Sequence, residues 1–290
     1  MKYALFLGCT VPVRALNYEV SARKVAHKLN IEFVDINDFS CCGFPVKSVD
    51  RDTFLLMAAK NLSLAEEKGL DICSLCSACT SVLTEANKEL KEDEYLRKRI
   101  NKELSVLGRK YEGRIKVKHF ARILYEDVGL DKIRENLRVD LSKFSFAAHY
   151  GCHYLKPSEI YEGFDDSENP KTLDELIELT GAKSVPYEDK KRCCGGGILG
   201  IDEMTALKVA KTKLDHVKSA GADAVCLICP FCSIMYEGSQ KKMEREFEAE
   251  YNLPVLYYPQ ILGLALGIPQ DELGFRMNRV KPREIIAQLS

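Results

Sequence analysis

Tyr3-Ala4-Leu5-Phe6-Leu7-Gly8-Cys9, then Cys41-Cys42-Gly43, then Cys73-Ser74-Leu75-Cys76-Ser77-Ala78-Cys79: these three stretches decide the fold, because the chain spells them twice. The second spelling runs Phe144-Ser145-Phe146-Ala147-Ala148-His149-Tyr150-Gly151-Cys152, then Cys193-Cys194-Gly195, then Cys226-Leu227-Ile228-Cys229-Pro230-Phe231-Cys232. All 12 cysteines belong to one set or the other. A repeat of this kind marks an internal duplication. Each half carries more thiols than one zinc or one cubane cluster needs.

The sequence between the cysteines repeats as well. Each opening apolar run reads as a buried strand ending in Gly-Cys. A helical stretch follows, around Val13 to Leu29 and around Leu173 to Leu179, and then a short strand, Ile31 to Ile36 and Ser184 to Tyr187. After each Cys-Cys-Gly comes an amphipathic helix. Leu55, Ala58, Ala59, Leu62 and Ala65 form one apolar stripe, and Leu207, Ala210, Leu214 and Val217 the other. Gly69 and Gly221 are expected as left-handed caps. Ile115 to Leu124 answers Pro254 to Leu262. Strands alternating with helices predict parallel α/β layers, here two pseudo-symmetric parallel-sheet domains over residues 1–140 and 141–290. The cysteines then fall at C-terminal strand ends, where open α/β sheets place ligand sites.

The bulk composition excludes several classes. A net charge of −1 argues against a general nucleic-acid binder. No apolar run approaches the roughly 20 residues of a membrane span, and Met1 to Thr10 does not read as a signal peptide. A cytoplasmic protein is expected. Disulfide scaffolds are small, secreted and richer in cysteine, so these thiols read as metal ligands or redox groups. The charged segment from Lys88 to Arg114, with apolar Leu90, Leu96, Ile100, Leu104 and Leu107, reads as a solvated helix pair or, second, a docking surface. The basic tail from Arg276 to Ser290 is open to packing on a partner.

Neighbouring thiolates such as Cys41 and Cys42 diverge from one backbone and do not easily meet on one small ion. They can reach two irons of one cluster. Gly43 and Gly195-Gly196-Gly197 fit either a plain turn or a nest of backbone N–H groups around an anionic centre. Cys226 lies inside an apolar strand-like run and reads as a small buried hydrophobe. Cys229-Pro230 marks a strand end and first helical turn, which places Cys229 and Cys232 where a helix dipole favours thiolate. An offset of 153 carries this reading onto Cys73, Cys76 and Cys79. No ferredoxin cysteine run is present and no dinucleotide-binding glycine motif follows a strand, so electrons must come from another protein.

The pattern Cys-x31-Cys-Cys-Gly-x32-Cys-x2-Cys followed by Cys-x40-Cys-Cys-Gly-x33-Cys-x2-Cys resembles the cysteine-rich CCG domain family in two tandem copies. Within it, the chain is similar to the family formed by the B subunits of heterodisulfide reductase from methanogenic archaea. That resemblance implies two noncubane [4Fe-4S] clusters. One would be held by Cys9, Cys41, Cys42, Cys76 and Cys79, the other by Cys152, Cys193, Cys194, Cys229 and Cys232. It implies reduction of the coenzyme M–coenzyme B disulfide between them. It also implies partners: the ferredoxin-like C subunit, the flavin-bearing A subunit, and a hydrogenase or formate dehydrogenase in an electron-bifurcating complex. The alternative is an iron–sulfur electron-transfer subunit of another CCG oxidoreductase acting on glycolate, lactate or succinate.

Substrate and proton residues follow from the same expectation. The implied substrate carries sulfonate, phosphate and carboxylate groups, so Lys47 and Arg192, which flank the two Cys-Cys-Gly turns, are either substrate anchors or solvated charges. His153 follows Cys152 and could donate a proton to a leaving thiolate, or simply hydrogen-bond beside a ligand. His27, His119, His149 and His216 lie in no motif.

Overall fold

The computed structural model describes residues 1–289. It contains two four-stranded sheets, all of whose strands run parallel. The first has the order β2-β1-β3-β4, from β1 (Lys2–Phe6), β2 (Glu32–Asp35), β3 (Ile72–Ser74) and β4 (Val117–His119). The second repeats the order as β6-β5-β7-β8, from β5 (Ser145–His149), β6 (Lys183–Ser184), β7 (Ala224–Leu227) and β8 (Val255–Tyr257). The duplicated α/β architecture expected from the sequence is therefore present. The register agrees too. Leu5 pairs with Cys73 and Ala148 with Cys226, the same position in each repeat.

The helices follow the apolar stripes. Arg51–Glu67 and Glu203–Ser219 are both 17 residues long. Asp50 and Asp202 cap them identically, each accepting from the backbone N–H three residues on at 3.0 Å. Gly69 and Gly221 follow them with φ of +64° and +70°, as a left-handed cap requires.

Several elements differ from their sequence reading. The Val13 to Leu29 stretch is two helices, Val11–Arg14 and Leu16–Lys28, because Ala15 leaves the helical region at φ −141°. The Ser184 to Tyr187 strand shrinks to the two residues of β6. The charged segment does form a helix pair, Ser77–Glu92 and Glu94–Leu104, but Leu107 is exposed rather than packed. The basic tail packs on its own chain. Asn278 is fully buried and bonds Asn17, Gln260 and the Val255 carbonyl, and Ile285 is buried. Ser290 of that tail lies outside the described residues.

The two halves share one continuous apolar core. Tyr18 of the first half stacks on Tyr257 of the second at 4.2 Å between ring centroids. The Ile228 carbonyl accepts from Tyr18 Oη at 3.2 Å and from His119 Nε2 at 2.9 Å, both first-half groups. These bonds pin the residue just before Cys229. Helix Ser77–Glu92 of the first half packs against the turn Cys152–Leu155 of the second.

Candidate metal centre

The parallel strands deliver the cysteines to one place. Cys9 and Cys152 follow β1 and β5 through Gly8 and Gly151. Cys76 and Cys229 follow β3 and β7, and each serves as the N-cap of the next helix with extended backbone (φ −131° and −132°). Cys79 and Cys232 lie in the first turns of those helices, as expected.

The Cys-Cys-Gly turns are each seated by a glycine in the left-handed region, where a side chain would be strained. Gly43 and Gly195 have φ of +92° and +82°. A Cβ at Gly43 would stand 3.2 Å from the Phe54 carbonyl, and one at Gly195 only 2.8 Å from the Ala206 carbonyl. The turns also offer backbone donors to sulfur. The N–H groups of Gly195 and Gly196 point to Cys193 Sγ and Cys194 Sγ, each at 3.4 Å. In the first half, N–H groups of Gly43 and Phe44 act likewise on Cys41 and Cys42. The turn reading of Gly43 and Gly195 is thus realised, with backbone N–H groups directed at the neighbouring cysteine sulfurs.

The thiols form a row that crosses from one half to the other. Cys41 interacts with Cys42, Cys42 with Cys79, and Cys79 with Cys76. Cys76 then meets Cys229 across the halves. The row continues through Cys232 and Cys194 to Cys193 and Cys152. Cys9 lies exposed at the end of the row, next to Cys41. Such crowding makes the thiols share protons. Cys42 is pulled down to about 4 by its neighbours Cys41 and Cys79, and Cys193 to about 2 by Cys152 and Cys194. Cys229 is lowered by Cys232 and Cys76, while Cys76 itself is raised by Cys229. Among the described residues, no group of three or more His, Cys, Asp or Glu side chains closes on a single metal ion.

Cys73 and Cys226 stand apart. Both are fully buried inside β3 and β7, with no thiol partner, and burial alone or foremost pushes their thiols up.

A cavity of about 60 Å3 opens at the crossing, lined by Phe44, Ser77 and Ala78 of the first half and by Cys152, His153 and Cys229 of the second, among others. Space beside the thiols is kept by glycine. A Cβ on Gly8 would lie 2.9 Å from Cys79 Sγ, and one on Gly151 would lie 3.6 Å from both Cys232 Sγ and Ser77 Oγ. Ser77 Oγ, His149 Nε2 and Tyr236 Oη are buried polar atoms without a partner. Such atoms are rare in a finished interior, and here they cluster around the thiol row.

The weaker expectations fall unevenly. His153 does line the cavity, its ring edge-on to Phe44 with centroids 4.9 Å apart, and burial lowers its pKa. Lys47 is ion-paired with Glu85. Arg192 is largely exposed and paired with Asp189 at 2.7 Å. Neither cation lines the cavity.

Sequence reasoning passed over Lys213 and His149. Lys213 is buried on the helix Glu203–Ser219, and its Nζ donates to the Arg192 carbonyl at 2.7 Å and meets His149 Nδ1 at 3.2 Å. The signal was legible. Lys213 falls in the apolar stripe three residues after Ala210, where a solvated lysine has no place.

Two parallel α/β units presenting one row of thiols define a duplicated cysteine-cluster protein. The Cysteine-rich domain family (CCG) matches residues 3–84 and again 146–237, so the chain belongs to that family and carries two copies. It is 38% identical over 292 residues to the B subunit of the ferredoxin/F420H2-dependent CoB-CoM heterodisulfide reductase of Methanosarcina acetivorans, covering 99% of this chain and 97% of that one. It is 35% identical to a protein of Archaeoglobus profundus described as like the heterodisulfide reductase B subunit (94% and 93% covered). It is also 31% identical to the 8-methylmenaquinol:fumarate reductase membrane anchor subunit of Wolinella succinogenes, with 96% of each chain covered. The resemblance to the heterodisulfide reductase B subunit read from the cysteine spacing thus holds over nearly the full length. A hypothetical protein from Helicobacter pylori shares the fold, with a TM-score of 0.79 at 17% identity over 97% of this chain and 52% of that one. No helix among the described residues is long and apolar enough to cross a membrane.

Proposed function

We propose that this chain is the iron–sulfur subunit that reduces the coenzyme M–coenzyme B disulfide, using two noncubane [4Fe-4S] clusters. The observation that carries this reading is the single thiol row, in which Cys76 meets Cys229 beside a cavity lined by the second cysteine set and by Phe44, Ser77 and Ala78 of the first half. The donor set fits. Cys9, Cys41, Cys42, Cys76 and Cys79 would hold one cluster, and Cys152, Cys193, Cys194, Cys229 and Cys232 the other. Crowded thiols that share protons, backbone N–H groups aimed at sulfur, and unpartnered Ser77 and His149 atoms are what a polynuclear anionic centre would satisfy. When bound, such clusters supply electrons one at a time.

The reaction takes two electrons and two protons, breaks one S–S bond and yields two thiols. Two one-electron centres beside one disulfide remove any need to release a free thiyl radical. The chain's own residues position the substrate and keep water out. Phe44 and Ala78 give the cavity apolar walls, and His153, which lines it, would have to take up a proton from solvent before handing it to a departing thiolate, an uptake that burial opposes by lowering its pKa. Lys47 and Arg192, tied to Glu85 and Asp189, would have to release those partners to anchor the substrate's anionic groups. Electrons would arrive from the ferredoxin-like C subunit together with the flavin-bearing A subunit, with a hydrogenase or formate dehydrogenase beyond, in a cytoplasmic complex. Domain boundaries at 1–140 and 141–290 accompany this reading.

The test is thiol release from the coenzyme M–coenzyme B disulfide by anaerobically purified, iron-replete protein with a reduced viologen dye. Activity is the expected result. An inactive iron-replete protein would move the reading to an electron-transfer subunit, which the fumarate reductase relative favours as the second possibility.

A further inference from the structure

The two cysteine sets are built alike, but their surroundings are not. The repeat offset of 152 that carries Cys41 onto Cys193 carries Asn61 onto Lys213. Both side chains are buried and both hold the strand-side approach to the Cys-Cys-Gly turn. Asn61 Nδ2 donates to the Cys41 carbonyl at 3.0 Å, and its Oδ1 accepts from the Ser40 N–H at 2.9 Å. Lys213 Nζ donates to the carbonyls of Arg192 at 2.7 Å and Lys190 at 3.3 Å. The first half therefore uses a neutral amide where the second uses an amine.

The neighbours differ in the same sense. The strand position three residues before Cys9 is Phe6, which packs edge-on to Phe39 at 5.0 Å. Its counterpart before Cys152 is His149, whose Nδ1 faces Lys213 Nζ at 3.2 Å. Leu83 of the first half answers Tyr236 of the second, whose ring lies edge-on to His149 at 4.9 Å and whose hydroxyl has no partner. One site thus rests on Phe6, Asn61 and Leu83, the other on His149, Lys213 and Tyr236.

Lys213 has three acceptors around its nitrogen, the number of donors an ammonium carries. All three are neutral. The nearby carboxylate of Asp189 is already engaged by Arg192 at 2.7 Å and His216 at 2.9 Å. Burying a cation is costly unless negative charge lies close by. Burial lowers the Lys213 pKa to about 8, so the amine keeps its proton at neutral pH, and the groups that oppose that lowering include Cys232, Cys194 and Cys193 of the second cysteine set.

We propose that Lys213 is a fixed buried cation built into only one of the two centres, and that it makes the second cysteine set the more easily reduced of the pair. The assignment rests on the cluster reading above. A positive charge in a low-dielectric interior stabilises the state that has gained an electron. Each centre takes one electron from an external one-electron donor, so the electron resides first in the second half. The disulfide then meets two unequal centres rather than two equivalent ones. Lys213 touches neither substrate nor thiol in this role and acts as a positioning residue for charge.

The test is a redox titration of the iron-loaded protein, followed by electron paramagnetic resonance, on the parent chain and variants, with iron content measured in each. Lys213→Gln keeps a donor for the turn carbonyls and removes the charge, as Asn61 does naturally. It is expected to keep its iron and to lower the higher of the two potentials by about tenfold in equilibrium constant, about 59 mV for a one-electron step, with the lower potential unmoved. Lys213→Arg is expected to resemble the parent. Two unmoved potentials, two equally moved ones, or movement of the lower potential alone overturn the assignment. If Lys213→Gln does not assemble, Asn61→Lys decides instead: a rise in the lower potential supports the assignment, and no change overturns it. A parent protein without iron overturns the cluster reading and this assignment together, whereas iron with unmoved potentials overturns this assignment alone.

Discussion

At the scale of single residues, the grouping of ten cysteines at strand ends and turns was legible because such spacing is local. Cys73 and Cys226 could be separated from them because both sit within an apolar strand-like run. Their surroundings in the structure agree, since neither touches another thiol. Cys226→Ala is expected to leave iron content unchanged at a cost of about 1–2 kcal/mol of stability, whereas Cys229→Ala should lose iron; equal losses in both would contradict the division. His119, in contrast, lay in no motif. It is fully buried, its Nε2 faces the Ile228 carbonyl at 2.9 Å and its Nδ1 accepts from the Ala121 N–H at 3.1 Å, so the ring is neutral. Burial pulls its pKa down to about 4. The unfolded chain binds a proton below about 6.5 that the folded chain refuses until about 4. Stability conferred by this residue is therefore present above pH 6.5 and is lost as pH falls toward 4, by roughly 3 kcal/mol. Denaturant titrations across that window should show the slope in the parent and a flatter profile in His119→Asn.

At the scale of elements, apolar periodicity located the two 17-residue helices and their glycine caps because stripe and cap are both written locally. The break at Ala15 was not legible, since no proline or glycine marks it, whereas the shortness of β6 was, because Pro186 inside the Ser184 to Tyr187 stretch has no N–H for the ladder. The identical Asp50 and Asp202 caps were there to be read, as Asp-x-x-Thr before each stripe. The turns gave glycine a stronger role than sequence assigned. Gly195→Ala would force a Cβ to 2.8 Å from the Ala206 carbonyl at a positive φ. It is expected to cost about 1–3 kcal/mol and to lower iron retention. Denaturation midpoints and metal analysis of the variant check both, and a neutral result would mean the turn is not held against the helix as described.

At the scale of the whole molecule, duplication was evident from the cysteine order, but the meeting of the halves was not, because no local pattern encodes Tyr18 stacking on Tyr257 or Cys76 reaching Cys229. The core runs through both halves without interruption. Heating the intact chain should therefore give one cooperative unfolding transition, and two well-separated transitions would contradict a shared core. The proposal that the two cysteine sets act as one site rests on the same crossing, where Cys76 meets Cys229. That claim depends first on what the thiols hold. Iron, zinc and acid-labile sulfide should be counted per chain in anaerobically purified protein. About eight irons with matching sulfide is the expected result for two [4Fe-4S] centres; zinc without iron would contradict the account.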